Sequence, residues 1–247
     1  MTALPSYLHS FDLYSIMNSD STWSKDLLRL LVQQGPIPKH VGFIMDGNRR
    51  YGKEDKMPLE KILEFCFATG IQAVTVYAFS LANFRRSAEE IKAVMVLLKV
   101  CLARLLQDGG VAERFEVKLR ICGNKSLLRA ETVEDLEHAE RLLAKNTKCV
   151  LNICLAYGSR HEITSSVKAA VMTGHGVPLP RQDMIETLED TMSTAGCPPL
   201  DFLIRTSGTS RLSDFMLWQC HEATDIVILE KNWPELKHWD FTQVLGQ

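Results

Sequence analysis

The sequence alternates between short, continuously apolar runs and longer segments in which apolar residues recur at helical spacing. The short runs have the length and composition of buried strands. They cover residues 41–45, 74–79, 117–122, 149–156, 200–204 and 226–229. The helical segments between them cover residues 59–69, 91–106, 132–144, 161–172 and 182–192. This alternation predicts a single α/β domain with a mostly parallel sheet that helices cover on both faces.

The amino-terminal part of the chain is less regular. Residues 1–21 show no clear period, and we predict a tail there, followed by one domain over residues 22–247. Residues 23–31 carry apolar side chains at helical spacing. This helix either packs on the domain, as amphipathic surface helices commonly do, or lies on a membrane surface.

Composition narrows the classes of partner and compartment. With 46% hydrophobic and 23% charged residues the chain has ordinary globular composition, and its net charge of -2 gives no support for nucleic acid as a partner. The seven cysteines contain no Cys-x-x-Cys pair, which favours reduced thiols and a protein that faces the cytosol. No apolar run approaches the roughly 18 residues that span a bilayer. A cleaved signal peptide is not expected either.

The first predicted strand ends in a turn with unusual chemistry. Asp46, Gly47 and Asn48 form a dense turn signal, and Arg49 and Arg50 follow directly. A carboxylate suits Mg²⁺, whereas arginines bind phosphate oxygens in a fork. The same residues would also form a hairpin turn with a local ion pair. Composition alone gives the two interpretations equal weight.

Polar and basic side chains follow other predicted strands as well. The carboxyl ends of parallel strands share one edge of the sheet, and ligands bind at such edges in open α/β folds. We therefore expect a set of distant residues to converge there, namely Asp46, Asn83, Arg85, Arg86, Arg160 and Arg205. Arginines gathered at one edge repel each other unless an anion lies between them. Residues 205–213 combine two arginines, several hydroxyls and a glycine, which suits a diphosphate.

The helix predicted at residues 91–106 is apolar over much of its surface. The residues concerned are Leu97, Leu98, Val100, Leu102, Leu105 and Leu106. Side chains of this kind are more often core than the wall of a binding site. If the ligand has a long hydrocarbon tail, however, such helices could line its tunnel.

Several motifs carry a resemblance to a known family. Residues 38–51 resemble the first signature of the cis-prenyltransferases, the undecaprenyl diphosphate synthase-like family. Residues 77–80 with Asn83, Phe84 and Arg86 look like the second signature. Residues 203–208, 211–213, 217–219 and 233–235 look like the last. Within the family the likeness is greatest to the catalytic subunits of eukaryotic dehydrodolichyl diphosphate synthases.

The resemblance implies a Mg²⁺-dependent prenyltransferase with a hydrophobic tunnel for the growing chain. Members of the family add isopentenyl diphosphate units to farnesyl diphosphate, and the eukaryotic members make long-chain polyprenyl diphosphate for dolichol and protein glycosylation. The resemblance also implies a related accessory subunit of the Nogo-B receptor type. It further implies peripheral attachment to the cytosolic face of the endoplasmic reticulum membrane, or otherwise a cytoplasmic location.

The resemblance assigns roles to individual residues. Asp46 would bind Mg²⁺ and, together with Asn83, assist the proton step. The expected substrate-binding residues are Gly47, Asn48, Arg49, Arg50, Tyr51, Ser80, Phe84, Arg86, Arg205, Arg211 and Ser213. Of these, the residues from Gly47 to Arg50 would hold the allylic diphosphate, and Ser80 and Phe84 would line the site. Isopentenyl diphosphate would be held by Arg86, Arg205, Arg211 and Ser213. Asp225 is a weaker match to a Mg²⁺-binding glutamate of bacterial relatives.

Some features of the family pattern are different in this chain. The family's Gly-His segment is missing between Tyr51 and Leu59, and Ala82 and Thr209 stand where acidic residues are usual. The domain is also short at its carboxyl-terminal end. These differences support an alternative, a non-catalytic or truncated subunit that binds diphosphate or a partner without turnover.

Overall fold

A computed structural model describes residues 37–47, 59–173 and 180–245. Its strands are β1 (His40–Ile44), β2 (Ala73–Ser80), β3 (Val117–Cys122), β4 (Cys149–Tyr157), β5 (Phe202–Arg205) and β6 (Asp225–Ile228). They form one six-stranded sheet in the order β3-β4-β2-β1-β5-β6. Every pairing in it is parallel, which confirms the predicted α/β fold.

Helices connect the strands as the periodicity predicts. They are α1 (Leu59–Thr69), α2 (Ala88–Leu105), α3 (Val111–Arg114), α4 (Ala130–Leu143), α5 (Ser159–Thr173), α6 (Arg181–Asp190) and α7 (His238–Leu245). Helix α2 is capped by the Ser87 hydroxyl, which accepts a hydrogen bond from the Glu90 N–H at 3.2 Å, as the spacing of Ser87 and Glu90 predicts. The helix predicted at residues 23–31 lies outside the described residues.

The sheet separates two apolar cores, and β1 contributes to both. Phe43 packs edge-on against Trp233 and Phe241, with ring centroids 5.8 and 5.6 Å away, in the larger core. The neighbouring Ile44 faces the other way and packs in the smaller core with Phe215. Successive side chains of a strand point to opposite faces, so an apolar run such as residues 41–44 is buried on both sides. This central placement fixes the position of the turn that follows β1.

Helix α2 only partly fulfils the prediction that its apolar residues are core. Leu98, Leu102 and Leu105 are buried, but Leu97 and Val100 are 49% and 41% exposed, because they lie on the outer face of the helix. Between α1, α2 and β4 lies an apolar cavity of about 10 Å³. That volume holds about one water molecule. The tunnel implied by the resemblance stays a prediction.

A buried histidine couples the stability of the sheet to pH. His40 is 1% exposed; its Nδ1 donates a hydrogen bond to the Pro198 carbonyl at 2.9 Å, and its Nε2 accepts one from the Thr75 hydroxyl at 2.7 Å. The Pro198 oxygen can only accept, so Nδ1 carries a proton, and burial favours the neutral form of the ring. Burial lowers the pKa of His40, and the bond to Pro198 and the charge of Asp201 offset this only in part.

We expect the free energy of unfolding to fall as the pH drops below the ordinary histidine pKa of about 6.5. In that range the unfolded chain binds a proton that the folded protein excludes, and the loss continues down to the lowered folded pKa. Urea unfolding at successive pH values, for wild type and His40→Gln, measures this effect. The decline should be smaller in the variant, and an equal decline in both proteins would contradict the assignment.

Candidate active site

The carboxyl ends of β1 and β5 bring an aspartate and an arginine together. Ile44 and Arg205 are register partners, and Asp46 follows two residues after Ile44. Arg205 Nη2 donates a hydrogen bond to Asp46 Oδ2 at 2.8 Å. The arginine side chain is 3% exposed and the aspartate side chain 43% exposed. The Asp46 carboxylate is therefore open to solvent on one side, and the buried Arg205 guanidinium holds it from beneath.

The Asp46 carboxylate is held in its ionised form. Burial alone would raise the pKa of Asp46, but hydrogen bonds from the Gly47 N–H to Oδ1 and from Arg205 to Oδ2 outweigh it and hold the pKa below its usual value. Within residues 37–47, 59–173 and 180–245, each carboxylate oxygen accepts one bond and retains a further lone pair. The group is therefore charged, oriented and able to accept a further ligand.

Arg205 also fixes the segment that supplies Arg211 and Ser213. Its Nη1 donates to the Ser213 hydroxyl at 2.8 Å and to the Arg211 carbonyl. Arg211 Nε donates to the same hydroxyl at 3.3 Å. The structure thus joins Asp46, Arg205, Arg211 and Ser213, which the sequence separates widely, in one hydrogen-bonded cluster.

The segment around Ser213 has an irregular backbone that other elements hold in place. Ser213 and Asp214 have φ angles of 52° and 64°, in the left-handed region. The Tyr77 hydroxyl donates to the Ser213 carbonyl at 3.1 Å. Asp214 Oδ1 accepts from Arg160 N at 3.1 Å and from Arg160 Nε at 3.3 Å. The structure pairs the exposed Arg160 guanidinium with Asp214, and its place in the anion site stays a prediction.

The end of β2 places a second polar group at the same edge. Ser80 N donates to Asn83 Oδ1 at 3.0 Å, and Asn83 N donates to Ser80 Oγ at 3.2 Å. Phe84 packs edge-on against Phe79, with ring centroids 5.0 Å apart. Within the described residues Arg86 makes no ion pair, and Asn83 makes no hydrogen bond to Asp46. Ser80 ends β2, the strand beside β1, and the others lie in or just after the 3₁₀ helix Leu81–Arg85 that follows it, without a described bond to the Asp46 cluster.

The turn after β1 is closed by a residue that sequence reasoning missed. Gly47 has a φ of 89°, and a Cβ there would lie 2.3 Å from Asn232 Oδ1. Asn232 caps the 3₁₀ helix Trp233–Glu235, and Trp233 N donates to the Asp46 carbonyl at 3.0 Å. The sequence signal was an asparagine before Trp-Pro-Glu, a typical helix start. The predicted residues Asn48, Arg49, Arg50 and Tyr51 lie outside the described residues.

The assignment of Asp225 as a second metal ligand is wrong in this structure. Asp225 begins β6 and is the register partner of Phe202, the first residue of β5. It therefore lies at the amino edge of the sheet, opposite Asp46. Spacing along the sequence did not reveal at which end of the strand the residue would fall. At the carboxyl end of β6 the chain instead supplies Glu230, whose carboxylate lies against Gly208.

The donor set of the cluster fits Mg²⁺ bound together with a diphosphate. The described residues contain no group of three or more acidic, histidine or cysteine side chains that could hold a metal ion. Asp46 supplies one ionised carboxylate with free lone pairs. Mg²⁺ typically takes one or two carboxylates and completes its shell with water and substrate phosphates.

A separate polar cavity of about 150 Å³ is a poor place for an anion. It lies beside α5 and is lined by His161, Glu162 and the hydroxyls of Ser165 and Ser166, among others. Its lining has no lysine or arginine and includes the Glu162 carboxylate, which is 6% exposed. A diphosphate is therefore better matched to the cluster at Asp46.

Comparison with known proteins decides the family. Residues 44–247 match the model of the family described as "Putative undecaprenyl diphosphate synthase". The chain belongs to this family of cis-prenyltransferases. A dehydrodolichyl diphosphate synthase complex subunit of Schizosaccharomyces pombe is 34% identical over 241 residues, which are 91% of each chain. The human subunit of that name is 37% identical over 88% of this chain and 68% of its own.

Solved structures agree with the family assignment. A probable undecaprenyl diphosphate synthase from Campylobacter jejuni superposes with a TM-score of 0.70 at 29% identity, over 85% of this chain and 94% of the other. These relatives are prenyltransferases, so this cis-prenyltransferase is an enzyme of that class, and the alternative of a subunit without turnover is not favoured. Among the described helices, none combines the length and hydropathy that crossing a bilayer requires.

Proposed function

We propose that this protein adds isopentenyl diphosphate units to farnesyl diphosphate and makes a long-chain polyprenyl diphosphate for dolichol. The observation that carries the proposal is the cluster of Asp46, Arg205, Arg211 and Ser213 at the carboxyl edge of the sheet. It combines an ionised carboxylate with two guanidiniums and a hydroxyl, which is the chemistry that two diphosphates require.

The residues of the cluster divide the work of the condensation. The allylic C–O bond breaks, the diphosphate leaves with the electron pair, a C–C bond forms to isopentenyl diphosphate, and one proton is lost. Mg²⁺, when bound, would neutralise the departing diphosphate. Arg205, Arg211 and Ser213 would orient isopentenyl diphosphate, and the side-chain amide of Asn83 would assist Asp46 near the proton that leaves. Gly47, with Asn48, Arg49, Arg50 and Tyr51, would hold the allylic diphosphate.

The apolar faces of α1 and α2 are proposed to house the growing chain. The small cavity between them is lined by Leu63, Leu102, Leu105 and other apolar side chains. A growing chain of isoprene units would have to move these helices apart. Burial of the apolar surface of that chain between the helices would favour the movement by about 0.8 kcal/mol per CH₂ group.

An elongation assay tests the proposed reaction. Purified protein, alone and with a co-expressed accessory subunit, is incubated with Mg²⁺, farnesyl diphosphate and labelled isopentenyl diphosphate. We expect labelled polyprenyl diphosphate of many isoprene units. If neither preparation gives product while the homologous yeast complex does under the same conditions, the proposed reaction is wrong.

We further propose a related prenyltransferase subunit of the Nogo-B receptor type as partner. Exposed apolar side chains on α5, α6 and β6 support this, including Val167, Val171, Met184, Ile226 and Ile228. Val227 and Leu229 pack in the larger core, so Ile226 and Ile228 point to the opposite face of the sheet. The yeast and human relatives are named as complex subunits.

Val167→Asp is expected to weaken association with the co-expressed subunit about 10-fold or more, because a charge would be buried among apolar side chains. Val100→Asp is a matched control, since Val100 is 41% exposed on α2 and Val167 is 44% exposed on α5. Affinity purification followed by analytical ultracentrifugation measures both. Equal weakening by the two variants would exclude the exposed apolar side chains of α5, α6 and β6 as the interface.

The cytosolic face of the endoplasmic reticulum membrane is the proposed location, with peripheral attachment. The proposal rests on the apolar product, which must pass to a membrane. Membrane fractionation with carbonate and salt washes tests it. Release of the protein by the washes is expected, and recovery in the soluble fraction of unwashed lysate would contradict it.

A further inference from the structure

A buried threonine beneath Asp46 holds the main chain of that residue. Thr206 directly follows β5 and is 0% exposed. Its hydroxyl accepts a hydrogen bond from Asp46 N at 2.8 Å and donates one to the Asp46 carbonyl at 2.8 Å. One side-chain atom thus bonds both polar main-chain groups of Asp46, which also contact the Ile44 carbonyl at 3.1 Å and Trp233 N at 3.0 Å.

This contact replaces the strand ladder where β1 and β5 end. The last main-chain bond between them runs from Thr206 N to the Ile44 carbonyl at 3.3 Å. Beyond Ile44, the Thr206 hydroxyl continues the connection to Asp46. A hydroxyl can do this because one oxygen both donates and accepts, whereas an isosteric valine can do neither.

The same contact sets the distance between Asp46 and its arginine. Thr206, which holds the Asp46 main chain, directly follows Arg205 in the sequence. Arg205 in turn holds Asp46 Oδ2, so the two contacts come from neighbouring residues of one segment. With Gly47 N on Oδ1, the aspartate is fixed at its main chain and at both carboxylate oxygens. Little rotation of the carboxylate is left without breaking one of these bonds.

We propose that Thr206 is a positioning residue, which fixes the Asp46 carboxylate for Mg²⁺ and the diphosphates. The inference rests on the proposed role of Asp46 as the metal ligand. Loss of the hydroxyl should weaken metal binding and slow the reaction without altering any group that touches substrate. Residues that orient a metal ligand typically affect metal affinity or activity 10- to 100-fold, so the effect should be about 10-fold or more.

A matched control separates this role from general stability. Thr75 is likewise 0% exposed, and its hydroxyl bonds His40 Nε2 at 2.7 Å and accepts from Asn152 Nδ2 at 2.9 Å. It pairs with Gly42 within the sheet, away from the carboxyl edge. Thr75→Val therefore removes a buried, bonded hydroxyl of the same residue type without touching Asp46.

The test compares Thr206→Val, Thr206→Ser and Thr75→Val. Mn²⁺ binding is measured by electron paramagnetic resonance with inorganic pyrophosphate present, alongside thermal unfolding and the Mg²⁺ dependence of the rate. Thr206→Val should bind Mn²⁺ about 10-fold more weakly or worse, and Thr206→Ser should restore binding to within about 3-fold, because it keeps the hydroxyl. Thr75→Val should lower the melting temperature and leave Mn²⁺ binding unchanged. Should Thr206→Val not fold, Thr206→Ala against Thr206→Ser makes the same comparison.

Two results overturn the inference, and they can be told apart. If Mn²⁺ binding is sensitive to Asp46→Asn but not to loss of the Thr206 hydroxyl, Thr206 is structural only and the proposed function stands. If the wild type and Asp46→Asn bind Mn²⁺ equally well, Asp46 is not the metal ligand. The positioning role of Thr206 then fails as well.

Discussion

Asp46→Asn is expected to reduce turnover by on the order of 10³-fold or more, because it removes the charge that would hold Mg²⁺ against the departing diphosphate. The single asparagine oxygen can still accept from Arg205, whereas the amide nitrogen replaces the oxygen that accepts from Gly47 N. Because the side chain is 43% exposed, the fold should survive. We expect the free energy of unfolding to change by no more than about 1 to 2 kcal/mol. Steady-state elongation rates and urea unfolding measure the two quantities on the same preparation.

Asp201→Asn provides the control for this substitution. The Asp201 carboxylate also accepts main-chain hydrogen bonds, from Lys39 N at 2.7 Å and His40 N at 3.0 Å, but at the amino edge of the sheet. Its replacement should lower the free energy of unfolding and leave the elongation rate near that of wild type. Asp46→Asn with unchanged turnover would remove Asp46 from the reaction.

Arg205→Lys is expected to lower kcat/KM for isopentenyl diphosphate by about 10²- to 10³-fold, because a single ammonium group cannot reproduce the planar fork. The guanidinium reaches Asp46 with Nη2 and Ser213 with Nη1 at the same time. A lysine keeps the charge, so the experiment isolates geometry from electrostatics. Initial rates at varied isopentenyl diphosphate concentration give the constants.

Arg160→Lys is the corresponding control at the same edge of the sheet. Its side chain is 84% exposed and pairs with Asp214. Exposed pairs of this kind contribute at most about 1 kcal/mol, so little change in kcat/KM is expected. A larger loss in Arg160→Lys than in Arg205→Lys would mean that the anion site lies nearer α5.

The convergence of Asp46 and Arg205 could be predicted from the sequence because it needs only a general rule. Apolar runs of strand length alternated with helices, so the sheet had to be mostly parallel and its carboxyl ends had to share an edge. Residues that end two strands then meet, whatever their separation along the chain. The arginine and hydroxyls of residues 205–213 followed from the same reasoning.

The differences between prediction and structure concern residues whose surroundings depend on irregular backbone or on packing. Asp225 was matched to a glutamate of bacterial relatives, but that match does not show where β6 begins. Arg160 lies at the predicted edge, but its partner Asp214 lies in a segment with left-handed φ angles that no periodicity predicts. Leu97 and Val100 were interpreted as core because α2 is apolar over much of its surface, and only packing distinguishes its faces.

Thr206 and Asn232 were missed for a different reason. A threonine after a strand and an asparagine before a Trp-Pro-Glu turn are ordinary residues at those places. Their importance comes from contacts with the Asp46 turn across more than 150 positions of sequence, which only the fold brings together.

A crystal structure with Mg²⁺, isopentenyl diphosphate and a non-hydrolysable farnesyl thiodiphosphate would show directly whether the cluster at Asp46 binds the metal and the diphosphates. We expect Mg²⁺ bound to an Asp46 carboxylate oxygen at about 2.1 Å. We also expect isopentenyl diphosphate oxygens within hydrogen-bonding distance, about 3 Å, of Arg205, Arg211 and Ser213. Diphosphate density at another site, with the bond between Asp46 and Arg205 intact and no metal on Asp46, would contradict it.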